Sequence, residues 1–327
     1  MRLVQSLPVA FVALGSLLPS AALAEVKVVV TSKPIHALVA KVMAGVGTPD
    51  ILVGGSASPH AYAMKPSDAR KVNAADVFFR VSEALEPFTG KVVASLPKSV
   101  RVVSLAEAPG LTLLERREGG AFEAHDHAAE KGHGHGHKHD HEAGKAADHD
   151  HDDDEPADPH VWLDPDNAKA MVRHIADILG AAAPDKADVI KANAEAEIAS
   201  ITALAAELEQ DLKPLAGKPF VVYHDAYQYM EKRYGLTAVG SLTVSPDVTP
   251  SGKRLQTLRR KIASTGAVCI FAEPHFEERV TKTIADGTKS RTGVLDPEGT
   301  TLTPGPDLYA TLMRNLARGF KGCLANS

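Results

Sequence analysis

Apolar positions along this chain fall into two alternating patterns. Continuous apolar or β-branched runs of strand length occur in VKVVVTS (26–32), DILVGG (50–55), VFFRVS (77–82) and SVRVVSLA (99–106). Between them, Pro34 to Ala44, PSDARKVNAA (66–75) and Pro87 to Ala94 place apolar residues at helical spacing. From Pro219 the alternation restarts. Strands PFVVYH, LTAVGS, AVCIFAE and TGVLDPE are separated by helices DAYQYMEKRYG, SGKRLQTLRRKIASTG and HFEERVTKTIADGT, and a last helix begins at DLYATLMRNLARGF. Strands alternating with helices predict parallel sheets covered by helices. The fold class is therefore α/β, with two similar lobes that leave a cleft at the C-terminal ends of their strands.

The middle of the chain reads as the connection. Asp164 stands where an N-cap belongs and Pro165 at the first helical position, and Pro184 ends that helix. A longer one follows, Asp185 to Leu212. Its Ile190, Ala194, Ile198, Ile201, Leu204, Ala205, Leu208 and Leu212 share one stripe about 120° wide. Such a helix is about 42 Å long, enough to run rigidly from one lobe to the other. The expected organisation is a first lobe over 25–183, a connecting helix over 184–213 and a second lobe over 214–327.

Residues 119–157 interrupt the first lobe with Gly, Ala, His, Asp and Lys and almost nothing that buries surface, which predicts an insertion disordered without metal. Residues 123–155 carry eleven Asp/Glu against three Lys, a balance of −8 within a total of −5, so the rest of the chain sums to +3. No basic surface for nucleic acid is implied. The first 24 residues combine one Arg, an apolar run from about Leu7 to Leu18 and the small-residue pattern Ala22-Leu23-Ala24. That is the pattern of a signal peptide cleaved after Ala24, with no Cys nearby to take a lipid anchor, and a periplasmic location is expected. In that compartment the two cysteines, Cys269 and Cys323, are expected to form a structural disulfide. On the loop-entropy model it stabilises by about 4 kcal/mol.

Of fifteen histidines, nine lie in the insertion: His125, His127, His133, His135, His137, His139, His141, His149 and His151. Three others share a different setting. His60 follows DILVGG in the loop GGSASPHAY, His160 sits in ADPHVWLDP, and His224 ends PFVVY and leads into Asp225, read as an N-cap. Any one of them alone reads as a surface or capping histidine. Three at corresponding strand ends, two from the first half and one from the second, point to a metal. Three neutral imidazoles suit zinc and leave a fourth position open, whereas manganese wants more carboxylate oxygen. His174 reads as structural on its helix, His36 as a cap or a neighbour of the cleft rather than a ligand, and His275, opening a helix in the second lobe, as the one of these three most easily undervalued.

PHAY (59–62) with KPSD (65–68), DPHVWLDP (158–165), VYHDAYQYME (222–231), FAEPHF and LDPEGT occur in order, and with them the chain resembles the periplasmic zinc-binding proteins of ABC-type zinc uptake systems. The resemblance runs from about Val26 to the C-terminus. It implies two α/β lobes joined by a long helix, one zinc held between them, and delivery to a membrane permease; the chain itself is expected to be a monomer. By motif, His60, His160 and His224 take the three metal positions. Some members place a glutamate just before the first histidine, where this chain has Pro59. Relatives that use an aspartate in the last strand point to Asp296, here expected to be at most a weak or conditional fourth ligand.

The histidine tract offers many near-equivalent ways to wrap an ion and no preorganised one. Ordering each residue costs about 1–2 kcal/mol, so the tract is expected to hold several ions weakly, exchange them fast and pass them to the cleft. A rival class is a zinc hydrolase, for which Glu273, Asp225 and Asp296 are the available bases, but no sequence element builds a substrate pocket. Periplasmic zinc buffering without transport would share the same site.

Overall fold

Each half of the chain folds around a four-stranded parallel sheet, and the two sheets have the same strand order. The computed structural model describes residues 25–117, 121–122, 157–243, 250–274, 276 and 278–325. In the first lobe β1 (Val28–Val30), β2 (Asp50–Ile51), β3 (Val77–Arg80) and β4 (Arg101–Ser104) are ordered β2-β1-β3-β4. In the second, β5 (Pro219–His224), β6 (Thr237–Thr243), β7 (Cys269–Ala272) and β8 (Arg291–Val294) are ordered β6-β5-β7-β8. The direction of winding thus reverses between β1 and β3, and again between β5 and β7. Open α/β sheets place ligands at such points, beyond the strand C-termini. The central strands are buried on both faces, as the unbroken valines of β1 predict.

Helices α1 (Lys33–Val42), α2 (Pro66–Asn73) and α3 (Phe88–Ser95) belong to the first sheet. The chain then passes through α4 (Pro165–Ala182), where the Asp164 side chain accepts from Asp166 N and Pro165 opens the helix. A 3₁₀ turn, Pro184–Lys186, precedes α5 (Ala187–Leu212), so the long helix starts later than Asp185. The expected stripe is buried, except that Ile198 is half-buried and Glu197, 6% exposed, joins it. In the second lobe α6 (Gln228–Tyr234) is shorter than its sequence pattern, α7 (Gly252–Thr265) and α8 (Glu278–Ala285) follow, and α9 (Leu308–Leu324) closes the chain.

α5 packs on α1, α4 and α9. The core accordingly runs without a break from Val30 and Phe79 through Trp162 and Leu208 to Phe220, Phe271 and Phe320. Cys269 at the start of β7 and Cys323 near the end of α9 form the expected disulfide, fixing α9 to the second sheet. No helix among the described residues is long and apolar enough to cross a membrane.

Ala121 and Phe122 lie inside the segment expected to be disordered, yet they pack on the second lobe. Ala121 is 9% exposed, and its carbonyl accepts from Ser241 N at 3.1 Å and from the Arg254 guanidinium. A side chain on Gly240 would place its Cβ 2.8 Å from the Ala121 Cβ, so this approach needs glycine. The histidine tract, 125–151, and His275 lie outside the described residues.

Candidate metal centre

Three separate local structures aim imidazoles at one point. His60 sits in a 3₁₀ turn, Pro59–Ala61, after β2, and its N–H donates to Ser58 Oγ at 3.3 Å. His160 stands at the head of another 3₁₀ turn, Val161–Leu163, which runs into α4, so it is not at a strand end as the sequence pattern suggested. His224 is the last residue of β5, at the point where the second sheet reverses its winding. The Nε2 atoms of His60 and His224 each lie 3.3 Å from Nε2 of His160, and one nitrogen from each ring falls within 4.8 Å of the others. A tetrahedral zinc with bonds of about 2.0–2.1 Å separates its ligand nitrogens by about 3.3–3.4 Å. The spacing therefore fits a single ion bound on Nε2.

Two rings are oriented from behind by carboxylates. His160 Nδ1 is 2.7 Å from Asp158 Oδ1, which also accepts His160 N at 3.0 Å. His224 Nδ1 is 2.7 Å from Glu273 Oε1, just beyond β7. An ionised carboxylate only accepts, so Nδ1 carries the hydrogen and the Nε2 lone pair faces the centre. His160 and His224 are 3% and 1% exposed. Burial, together with the neighbouring imidazoles, holds His60 and His160 well below the usual histidine pKa, so both are neutral and ready to ligate. Burial pulls His224 down too, but the carboxylates of Glu273, Glu298 and Asp225 together outweigh it and the net shift is upward. Burial also raises Asp158 to about 7.

The carboxylate beside the histidines is Glu298. Its Oε1 lies 3.6 Å from His60 Nε2 and accepts from Ser58 Oγ at 3.2 Å, and burial raises its pKa to about 8. Asp296 points elsewhere. Its two oxygens accept from the backbone N–H and hydroxyl of both Thr300 and Thr301, at 2.9–3.0 Å. Sequence reasoning weighed Asp296 and passed over Glu298, two residues on. The available signal was Gly299, whose φ of 65° turns the chain sharply after the glutamate.

Among the described residues, His36, His174 and Asp225 do not join this group. His36 is buried with Nε2 on Pro49 O at 3.1 Å, and His174 is half-buried on α4. Asp225 does not cap α6, whose N-cap is Tyr227. Instead Arg117 grips it at 3.0 Å through Nε, and holds Glu231 through Nη1 and Nη2 at 2.9 and 2.8 Å. Arg117 belongs to the stem of the insertion. Glu115 pairs with Ala157 in an antiparallel bridge, and Asp158 N donates to Leu114 O at 2.7 Å. The insertion therefore leaves and re-enters the fold beside Asp158 and His160.

Glu273, Asp225 and Asp296, the bases a hydrolase would draw on, are thus held by His224, Arg117 and the two threonines. Two cavities flank Glu298, one against Trp162 and Lys33, the other against Glu273 and Phe276. Each measures about 10 Å³, roughly the space one water centre needs.

Residues 28–323 match the family model described as zinc-uptake complex component A, periplasmic. The high-affinity zinc uptake system protein ZnuA of Brucella suis is 48% identical over 305 residues, covering 91% of both chains. Its namesake in Paracoccus denitrificans is 42% identical over 305 residues, covering 92% of this chain and 93% of its own. Among solved structures, the Zn(II)-bound ZnuA-like domain of Streptococcus pneumoniae AdcA superposes with a TM-score of 0.68 at 24% identity, over 92% of this chain and 99% of that one. With a match across nearly its whole length, this chain belongs to the family of periplasmic A components of zinc-uptake complexes.

Proposed function

We propose that this chain captures one zinc ion in the periplasm and hands it to an ABC-type permease of the inner membrane, acting as a monomer after removal of residues 1–24. His60, His160 and His224 bind the ion through Nε2, and Glu298 supplies the fourth ligand. The observation that carries this reading is the 3.3 Å spacing of His60 Nε2 and of His224 Nε2 from His160 Nε2, the edge a tetrahedral zinc sets. Family membership supports the cargo and the transport role.

The arrangement also suits release. His60 and His160 come from the first lobe, His224 and Glu298 from the second. A small separation of the lobes halves the ligand set without unfolding either sheet. With a pKa raised to about 8, Glu298 is mostly protonated at neutral pH before zinc arrives, and the incoming ion displaces that proton. Reprotonation then favours departure. A binding protein needs neither a free base nor a substrate pocket. Calorimetric zinc titration of His60→Ala, His160→Ala and His224→Ala tests the set. Each replacement is expected to weaken the tight site by orders of magnitude, and an unchanged tight site removes that residue from it.

A further inference from the structure

The turn that carries Glu298 belongs to the second lobe by sequence, yet the first lobe holds it on both sides of the glutamate. Trp162 Nε1 donates to Pro297 O at 3.0 Å. Beyond the glutamate, Lys33 Nζ donates to Gly299 O, Thr300 O and Leu302 O at 3.2, 2.7 and 2.8 Å. An ammonium has three N–H donors, and these three carbonyls use all of them. The turn is braced from within by the four hydrogen bonds to Asp296, so its outward carbonyls form a fixed receptor.

Lys33 is 4% exposed at the start of α1. Burying a charge there is costly unless each donor is met, and an apolar residue would fill the space without that cost. Burial disfavours its charge on balance, Asp296 and Glu298 partly offset this, and its hydrogen bonds go to backbone oxygens. Glu298 therefore keeps its carboxylate for Ser58 and the metal side of His60. A direct Lys33–Glu298 ion pair would compete with the cargo. The observed arrangement fixes the backbone that carries the carboxylate and leaves the carboxylate free.

We propose that Lys33 is a positioning residue for the metal centre: its grip on the 299–302 carbonyls holds Glu298 against His60 across the lobe boundary and sets how fast the ion leaves. This rests on the reading of Glu298 as the fourth ligand. The test is a mutant cycle on the full mature chain, measuring zinc release into excess chelator for the parent, Lys33→Met, Glu298→Gln and the double variant. Circular dichroism of the metal-free forms verifies folding. Zinc is expected to leave Lys33→Met at least about tenfold faster than the parent, while the same change in the Glu298→Gln background alters release less than about twofold. Equal acceleration in both backgrounds would make Lys33 merely structural and overturn the proposal. An unchanged rate in Glu298→Gln overturns it too, since Lys33 then has no ligand to place. If the methionine variant does not fold, Lys33→Gln, neutral but with two N–H donors, gives the same comparison. A parent protein that holds no tight zinc would instead sink the underlying reading of the site.

Discussion

Replacing Asp158 by Asn separates the charge behind His160 from its shape. Asp158 is 3% exposed, and its Oδ1 accepts both the N–H and the Nδ1–H of His160 at 3.0 and 2.7 Å. An asparagine oxygen keeps both hydrogen bonds, so the ring stays aimed at the centre. What disappears is the negative charge that makes Nε2 a better donor to a cation. Removing the polar partner of a metal-bound histidine typically weakens the metal by about 10–100-fold, or about 1.4–2.7 kcal/mol. Zinc affinity of Asp158→Asn is expected to fall within that range at pH 8, with stoichiometry unchanged. The pH dependence follows from burial, which raises the Asp158 pKa to about 7. Below that pH the wild-type residue is itself neutral and resembles the variant, so the affinity ratio should grow from pH 6 and level off above about 7. Competition with a chromogenic chelator from pH 6 to 8 measures it. Equal affinities at pH 8, or a ratio independent of pH, would refute the argument.

Two more predictions concern other parts of the chain. Glu86 is fully buried, accepts from Thr31 Oγ1, Val81 N and Ser82 N, and has its pKa raised by burial from 4.5 to about 7. The folded carboxyl holds its proton between those values where the unfolded one has lost it, so the contribution of Glu86 to metal-free stability should fall by about 3 kcal/mol from pH 4.5 to 7 and change little above; Glu86→Gln should remove that part of the slope in denaturant melts. Deleting residues 125–151 leaves the Glu115–Ala157 bridge and the Arg117 contacts intact, so the tight zinc site should survive while weak sites disappear, as a titration resolving both classes will report.

The α/β lobes, the Asp164–Pro165 helix start and the stripe of α5 were legible because each depends on local chemistry and period. The position of His160 was less so: DPHVWLDP reads as a strand-adjacent loop, but Asp158 and Trp162 organise it as a 3₁₀ turn entering α4. Asp225 follows a strand and precedes a helical pattern, which is the local signature of an N-cap. A guanidinium from Arg117, distant in sequence, takes the carboxylate instead, and α6 begins three residues later. The choice between Asp296 and Glu298 depends on which hydroxyls and carbonyls surround a turn after folding. Thr300 and Thr301 satisfy the aspartate, while Lys33 and Trp162 hold the backbone around the glutamate. No periodicity encodes those partners.

The equivalence of the two sheets explains why the centre lies between lobes rather than within one. Both reverse their winding at the same place, and each puts a buried carboxylate there. In the second lobe Glu273 orients His224, and Nε2 remains available to an ion. In the first lobe Glu86 takes the amides that follow β3 and the hydroxyl that follows β1, so the matching point is closed by protein groups. The first lobe must therefore bring its imidazoles from elsewhere, on the turn after β2 and the turn before α4. One sheet then offers an imidazole from its strand end while the other lobe offers two from loops. On the proposed assignment, an ion completes its set only where both lobes meet, which would make affinity depend on their approach. For a protein that must take up its cargo tightly and later surrender it, that dependence supplies a route to release that a site within one sheet would lack.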